Sequence, residues 1–185
     1  MKTSLTDPLQ IKTVSPEGTQ GMIGMTLCPG RKGISREYGS WDRDLASDLD
    51  VIRAWKPDLA IALLEDHEYP RLGIPRFRQD VIESGLPWEF APIEDGGIPD
   101  AEFERKWREL GPRVRRTLRA GGRVLIHCRA GLGRTGLLAA TLLVELGANP
   151  QRAIADVRRA RPGAIETSVQ ESYVLSRRPV LSGSE

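Results

Sequence analysis

Four short stretches of the chain, residues 21–28, 59–64, 88–93 and 123–128, are rich in apolar residues, whereas the segments between them carry apolar residues at helical spacing. Short apolar runs of this kind read as buried strands, and strands that alternate with helices predict a parallel α/β sheet. Residues 9–14 instead alternate apolar and polar and lead into Ser15-Pro16-Glu17-Gly18, which predicts a hairpin that adds an edge strand. Residues 42–56 place Leu45, Leu49, Ile52 and Trp55 on one helical face, and residues 100–120 do the same with Phe103, Trp107, Leu110, Val114 and Leu118. Residues 136–146 are apolar around most of a helix, which marks an element buried against several neighbours. Asn149 followed by Pro150 starts a helix that runs to Arg161, and Thr167 or Ser168 caps another that begins near Val169. The expectation is a single α/β domain over residues 1–185, with a mostly parallel sheet of about four to five strands and helices on both faces. Its core spans residues 9–178, and residues 179–185 form a flexible tail.

Composition adds bounds rather than detail. With 39% hydrophobic and 28% charged residues and a net charge of +2, the chain reads as a globular protein with no global field to draw it onto nucleic acid. There is no run of about eighteen apolar residues and no signal-like start, so membrane insertion and secretion are not expected. Cys28 and Cys128 are a hundred positions apart and form neither a disulfide framework nor a metal-ligand pattern, which fits a cytoplasmic setting.

Residues 127–136 read HCRAGLGRTG and lie between a strand and the buried helix. Such a loop can wrap a tetrahedral anion with backbone N–H groups while the following helix adds the positive end of its dipole. The same amides favour a thiolate at Cys128, which makes it a candidate nucleophile. Arg134, six positions on, has the planar fork that grips two phosphate oxygens. Arg129, Ala130, Gly131, Leu132 and Gly133 complete the candidate phosphate site. His127 is expected to support the loop from below, and Thr135 to assist the sulfur as leaving group, although both types also serve purely in packing. Residues 131–136 also match GxGxxG, but a dinucleotide site expects an acidic residue on a second strand about twenty positions later, where a helix is predicted instead. Expulsion of an alkoxide or phenoxide needs a proton donor, and Asp95, in a glycine-containing loop after the third apolar run, would emerge on the same sheet edge as Cys128. Glu94 and Asp100 are the alternatives, with Asp100 also placed to cap the next helix.

HCRAGLGRTG matches the HCxxGxxR(S/T) signature of protein tyrosine and dual-specificity phosphatases. Wider similarity, through residues 27–30, 92–100 and 163–167, resembles the kinase-associated phosphatase group. The resemblance implies a tyrosine-phosphatase-like fold, Asp95 as acid, no metal or other cofactor, and a phosphorylated protein as substrate. It further implies action on phosphotyrosine and on phosphoserine or phosphothreonine through a cysteinyl-phosphate. A phosphate-binding pseudophosphatase module, or an enzyme for small-molecule or lipid phosphates, is the alternative. Several related phosphatases carry QTxxQ where this chain has Glu166-Thr167-Ser168-Val169-Gln170, so the first glutamine is a glutamate. That leaves the water-positioning role of Glu166 open, and Gln170 can instead complete a capping box with Thr167. Cys28, at the end of the first long strand, is a candidate partner to trap an oxidised Cys128, or an ordinary buried thiol.

Overall fold

The computed structural model describes residues 1–35 and 39–180. Its main sheet contains β1 (Lys12–Val14), β2 (Met22–Thr26), β5 (Leu59–Ala62), β6 (Trp88–Phe90) and β7 (Arg123–His127) in the order β1-β2-β7-β5-β6. The expected hairpin forms, with β1 antiparallel to β2, and the remaining pairings are parallel. Thr26 and Ala62 both pair with His127, and Ala62 pairs with Phe90, so four strands end together on one edge. In an open α/β sheet that carboxyl edge is where ligands bind.

The sheet is buried on both faces, which is why its strands read as unbroken apolar runs. Val124 and Ile126 join one core cluster and Leu125 the other, as the two-residue period of a strand requires. The first cluster is covered by α4 (Ala101–Arg119), α5 (Gly133–Glu145), α6 (Pro150–Ala160) and α7 (Ser168–Ser176), and the second by α1 (Leu45–Trp55) and α3 (Phe77–Glu83). The helix starts follow side-chain caps: Asp44, Asp100, Asn149 and Thr167 each accept a hydrogen bond from a first-turn amide. Every residue of α5 is buried, as its all-round apolar pattern predicts. The helix begins three residues before the expected Gly136, because the loop turns directly into helix at Gly133, and Arg134 and Thr135 therefore lie in the first turn.

Three elements have no counterpart in the expectation. These are the hairpin of β3 (Lys32–Ser35) and β4 (Gly39–Asp42), the short α2 (Glu68–Arg71), and α3. The hairpin strands mix glycine, charged and apolar residues without alternation, and α2 is too short to display a period. The expected core limits are also too narrow. Lys2 pairs with β4 through bonds of its N–H to Ser40 and of Asp42 N–H to its carbonyl, at 2.8 and 2.9 Å. At the other end Val180 donates to the Glu145 carbonyl at 2.9 Å and accepts from Arg119, so the expected tail does not start at residue 179. Residues 181–185 of that tail lie outside the described residues. Among the described residues no helix is long and apolar enough to cross a membrane.

Candidate active site

The loop after β7 is shaped by what its carbonyls do. The carbonyl of Arg129 accepts from Cys28 N–H at 3.3 Å and from Arg31 Nη1 at 3.0 Å. Arg161 donates through Nη2 to Ala130 and through Nε to Gly131, and the Leu132 carbonyl accepts from the amides of Gly136 and Ile165. A peptide unit that turns its carbonyl outward turns the next N–H inward, so the amides of Ala130, Gly131 and Leu132 converge on the hollow of the loop. Gly133 N–H is already taken by Glu166 Oε2 at 2.8 Å. Gly131 has φ +72°, and a side chain there would collide with the Thr26 carbonyl. A side chain at Gly133 would collide with the Glu166 carboxylate.

Cys128, 3% exposed, opens this loop, and Arg134, 1% exposed, lies under it in the first turn of α5. Nη1 and Nη2 of Arg134 grip the two oxygens of Glu68 at 2.6 and 2.9 Å. Nη1 also reaches the carbonyls of Ile93 and Leu63 at the ends of the neighbouring strands, and Nη2 lies 3.0 Å from Asp95 Oδ1. Nε has no acceptor among the described residues although it is buried. Burial alone would raise the Glu68 carboxyl, but its hydrogen bonds to and charge contact with Arg134 hold it below the ordinary value. Burial opposes the charge on Arg134, and the Glu68 bond together with the nearby Cys128, Glu68 and Asp95 charges raises its pKa regardless. Glu68 was not foreseen: it comes from a four-residue helix 66 positions before Arg134, and no local pattern marks it.

Asp95 lies beside the loop, with Oδ2 2.8 Å from Arg129 Nη2. It lines a cleft of about 380 Å³ shared with Arg31, Glu68, Arg71 and Arg129. Glu94 and Asp100 line a different, acidic cleft, and Asp100 caps α4 through a 2.8 Å bond from Phe103 N–H. The loop that carries Asp95 is tethered from α7, because Thr167 Oγ1 donates to the Gly96 carbonyl and Gln170 Nε2 to the Gly97 carbonyl, both at 3.1 Å. Thr167 and Gln170 also form the capping box of α7.

His127 is fully buried beneath the loop, with Nδ1 3.4 Å from the Cys128 carbonyl and its ring edge-on to Phe77 and Trp88. Burial lowers its pKa to about 3, so the ring is neutral. Thr135 Oγ1 is buried with no partner among the described residues. Cys28 is buried beside the loop, and burial raises its thiol pKa. The dinucleotide reading has no support in the topology, since α6 follows α5 where a second strand and its acidic residue would be needed.

A family model described as a phosphatase domain of DSP-PTPase type, PTP-SAK (Swiss Army Knife protein), matches residues 109–174. Human cyclin-dependent kinase inhibitor 3 is 33% identical over 155 residues, which cover 82% of this chain and 69% of that protein. A crystal structure of kinase associated phosphatase, with its catalytic-site cysteine replaced by serine, matches with a TM-score of 0.76 at 27% identity. That match covers 90% of this chain and 92% of that one. Tk-PTP in its active form matches with a TM-score of 0.58 at 30% identity, over 83% of this chain and 88% of that one. A cysteine and an arginine on one anion-shaped loop, set in a backbone and sequence shared with these proteins, assign the chain to the cysteine-dependent tyrosine and dual-specificity phosphatases.

Proposed function

We propose that this enzyme hydrolyses phosphomonoesters on protein side chains, both phosphotyrosine and phosphoserine or phosphothreonine, through a cysteinyl-phosphate. The observation that carries the reading is the buried Arg134 Nε, without an acceptor among the described residues, set beside inward-turned amides and the Cys128 thiol. Nε and the Nη2 hydrogen that now faces Asp95 would grip two phosphate oxygens once Asp95 turns to the leaving group, while Glu68 holds one hydrogen of each Nη and the strand carbonyls hold Nη1. The Cys128 sulfur attacks phosphorus, an S–P bond forms as the P–O ester bond breaks, and Asp95 gives its proton to the leaving oxygen. Water then attacks phosphorus, Asp95 takes its proton, the S–P bond breaks, and inorganic phosphate leaves. Arg134 and the loop amides offset the charge that develops on the equatorial oxygens in both steps. Thr135, with a buried hydroxyl free to donate, would stabilise the sulfur as it departs in the second step. A protein substrate is supported by the names of the relatives, a kinase inhibitor and a kinase associated phosphatase.

The test is hydrolysis of a generic aryl phosphate in EDTA. The wild type should turn over, Cys128→Ser should fall to background, and Asp95→Asn should lose about 10²- to 10⁴-fold in kcat. Absence of turnover by folded wild-type protein would replace this reading with a phosphate-binding module. An undiminished Asp95→Asn would move the acid elsewhere.

A further inference from the structure

A second cavity, of about 240 Å³, abuts the phosphate loop at Ala130 and Leu132 and shares Arg31 with the reaction cleft. Lys2, Arg43 and Arg161 give it a basic wall beside the Trp41 indole, and Asp7 supplies a carboxylate. Two of these cations are otherwise engaged. Arg43 is neutralised by Asp48, and Arg161 holds the loop carbonyls of Ala130 and Gly131. Arg31 gives Nη1 to the Arg129 carbonyl but has Nε left over among the described residues, and Lys2 stacks on the indole of Trp41. Among the described residues neither forms an ion pair, and both lie against the Trp41 ring, at 5.0 and 4.7 Å from its centroid.

Two N–H donors at this cavity are also left over. Arg31 is 4% exposed and Trp41 6%, and neither Arg31 Nε nor Trp41 Nε1 has an acceptor among the described residues. A buried guanidinium without a counter-charge and a buried indole N–H without an acceptor are each costly, and an anion beside them removes both costs. Burial does lower the Arg31 pKa below its ordinary value. The arrangement is held in place by the N-terminal strand pairing of Lys2 with β4 and by the buried Arg43–Asp48 pair, to which Gly30 N–H and Ser4 also bond.

We propose that this cavity is a second anion site, in which Arg31, Lys2 and the Trp41 indole N–H bind a phosphate-class oxyanion in addition to the group held by the catalytic loop. Several donors spread around one hollow match a tetrahedral anion with oxygens on every side. Such an anion has two sources, a second phosphate on the same phosphopeptide, which rests on the phosphatase reading above, or free inorganic phosphate, which does not.

Binding to the 185-residue chain with Cys128→Ser tests the proposal without turnover, so its outcome is separate from that of the aryl phosphate assay. In the first arm, inorganic phosphate is titrated calorimetrically into Cys128→Ser and into the same protein with Lys2→Gln and Trp41→Phe. A stoichiometry of two that falls to one in the triple variant establishes the free-phosphate source. In the second arm, a peptide with one phosphotyrosine is compared with the same peptide phosphorylated at a second residue. A gain of about tenfold in affinity from the second phosphate, lost with Lys2→Gln and Trp41→Phe while the singly phosphorylated peptide binds unchanged, establishes the substrate-borne source. One phosphate per protein together with equal affinity for the two peptides overturns the proposal. Gains that persist in the triple variant overturn it as well, since the second site would then lie elsewhere. Thermal melts of each variant confirm that the protein compared is folded.

Discussion

Arg134 and Arg43 are both buried and both gripped by a carboxylate through two bonds, yet they are left in different states. Arg43 has every donor nitrogen occupied: Nε and Nη2 on Asp48 and Nη1 on the Asp7 carbonyl. Arg134 is bound as tightly along one side by Glu68, Leu63 and Ile93, but its Nε meets no acceptor among the described residues. The first is a closed structural pair, and the second keeps one donor without an acceptor among the described residues. An arginine at a site is thus recognised less by burial or by its ion pair than by which of its nitrogens remains unmatched.

Substitutions that treat the two arginines alike should separate them. Arg43→Met leaves Asp48 as an unpaired buried charge and should destabilise the fold by about 3–5 kcal/mol, read by chemical denaturation, while the protein that remains folded keeps its aryl phosphate turnover. Arg134→Lys should do the reverse, with a loss of about 10²- to 10³-fold in kcat, because an ammonium cannot reproduce the fork between Glu68 and a phosphate. Equal losses of turnover in the two variants would erase the distinction.

Acid should weaken the functional region. His127 has its pKa lowered from 6.5 to about 3 by burial, so below pH 6.5 the unfolded chain takes up a proton that the folded one refuses. Glu68 is held below its ordinary value by Arg134 and acts in the same direction at lower pH, since its paired carboxylate is lost as protons are added. Stability should therefore fall as pH drops from about 6.5 towards 3, with His127 contributing up to about 1.4 kcal/mol per pH unit. Melting temperatures across that range should show a shallower slope for His127→Gln, whatever its absolute stability. The smallest effect is expected for Thr167→Ala, which removes the cap of α7 and the bond to Gly96. It should cost about 1 kcal/mol by thermal melt and lower kcat without changing the pH slope.

The candidate phosphate loop was legible in the sequence because its parts are contiguous: cysteine, glycines and arginine lie within seven residues after an apolar run. Asp95 could be inferred because parallel strands end on a common edge, so a loop after one strand meets a loop after another. Glu68 could not be, because its role exists only once β5 and β7 lie side by side, and nothing within four residues of helix hints at a partner 66 positions away. Arg31 and Arg161 were missed for the same reason. Their contacts are with backbone carbonyls of the loop, and backbone leaves no mark in a sequence. The β3–β4 hairpin escaped notice because it is stabilised by pairing with residues near Lys2 rather than by an apolar face.

The tether between α7 and the Asp95 loop has a kinetic consequence. Thr167 and Gln170 each serve the helix cap and a loop carbonyl with the same side chain, so a loop that swings away gives up two bonds to the first turn of α7. Retreat of Asp95 and loosening of the first turn of α7 are thereby coupled. A stiffer α7 would hold the loop of Asp95 in place at the expense of opening for product escape.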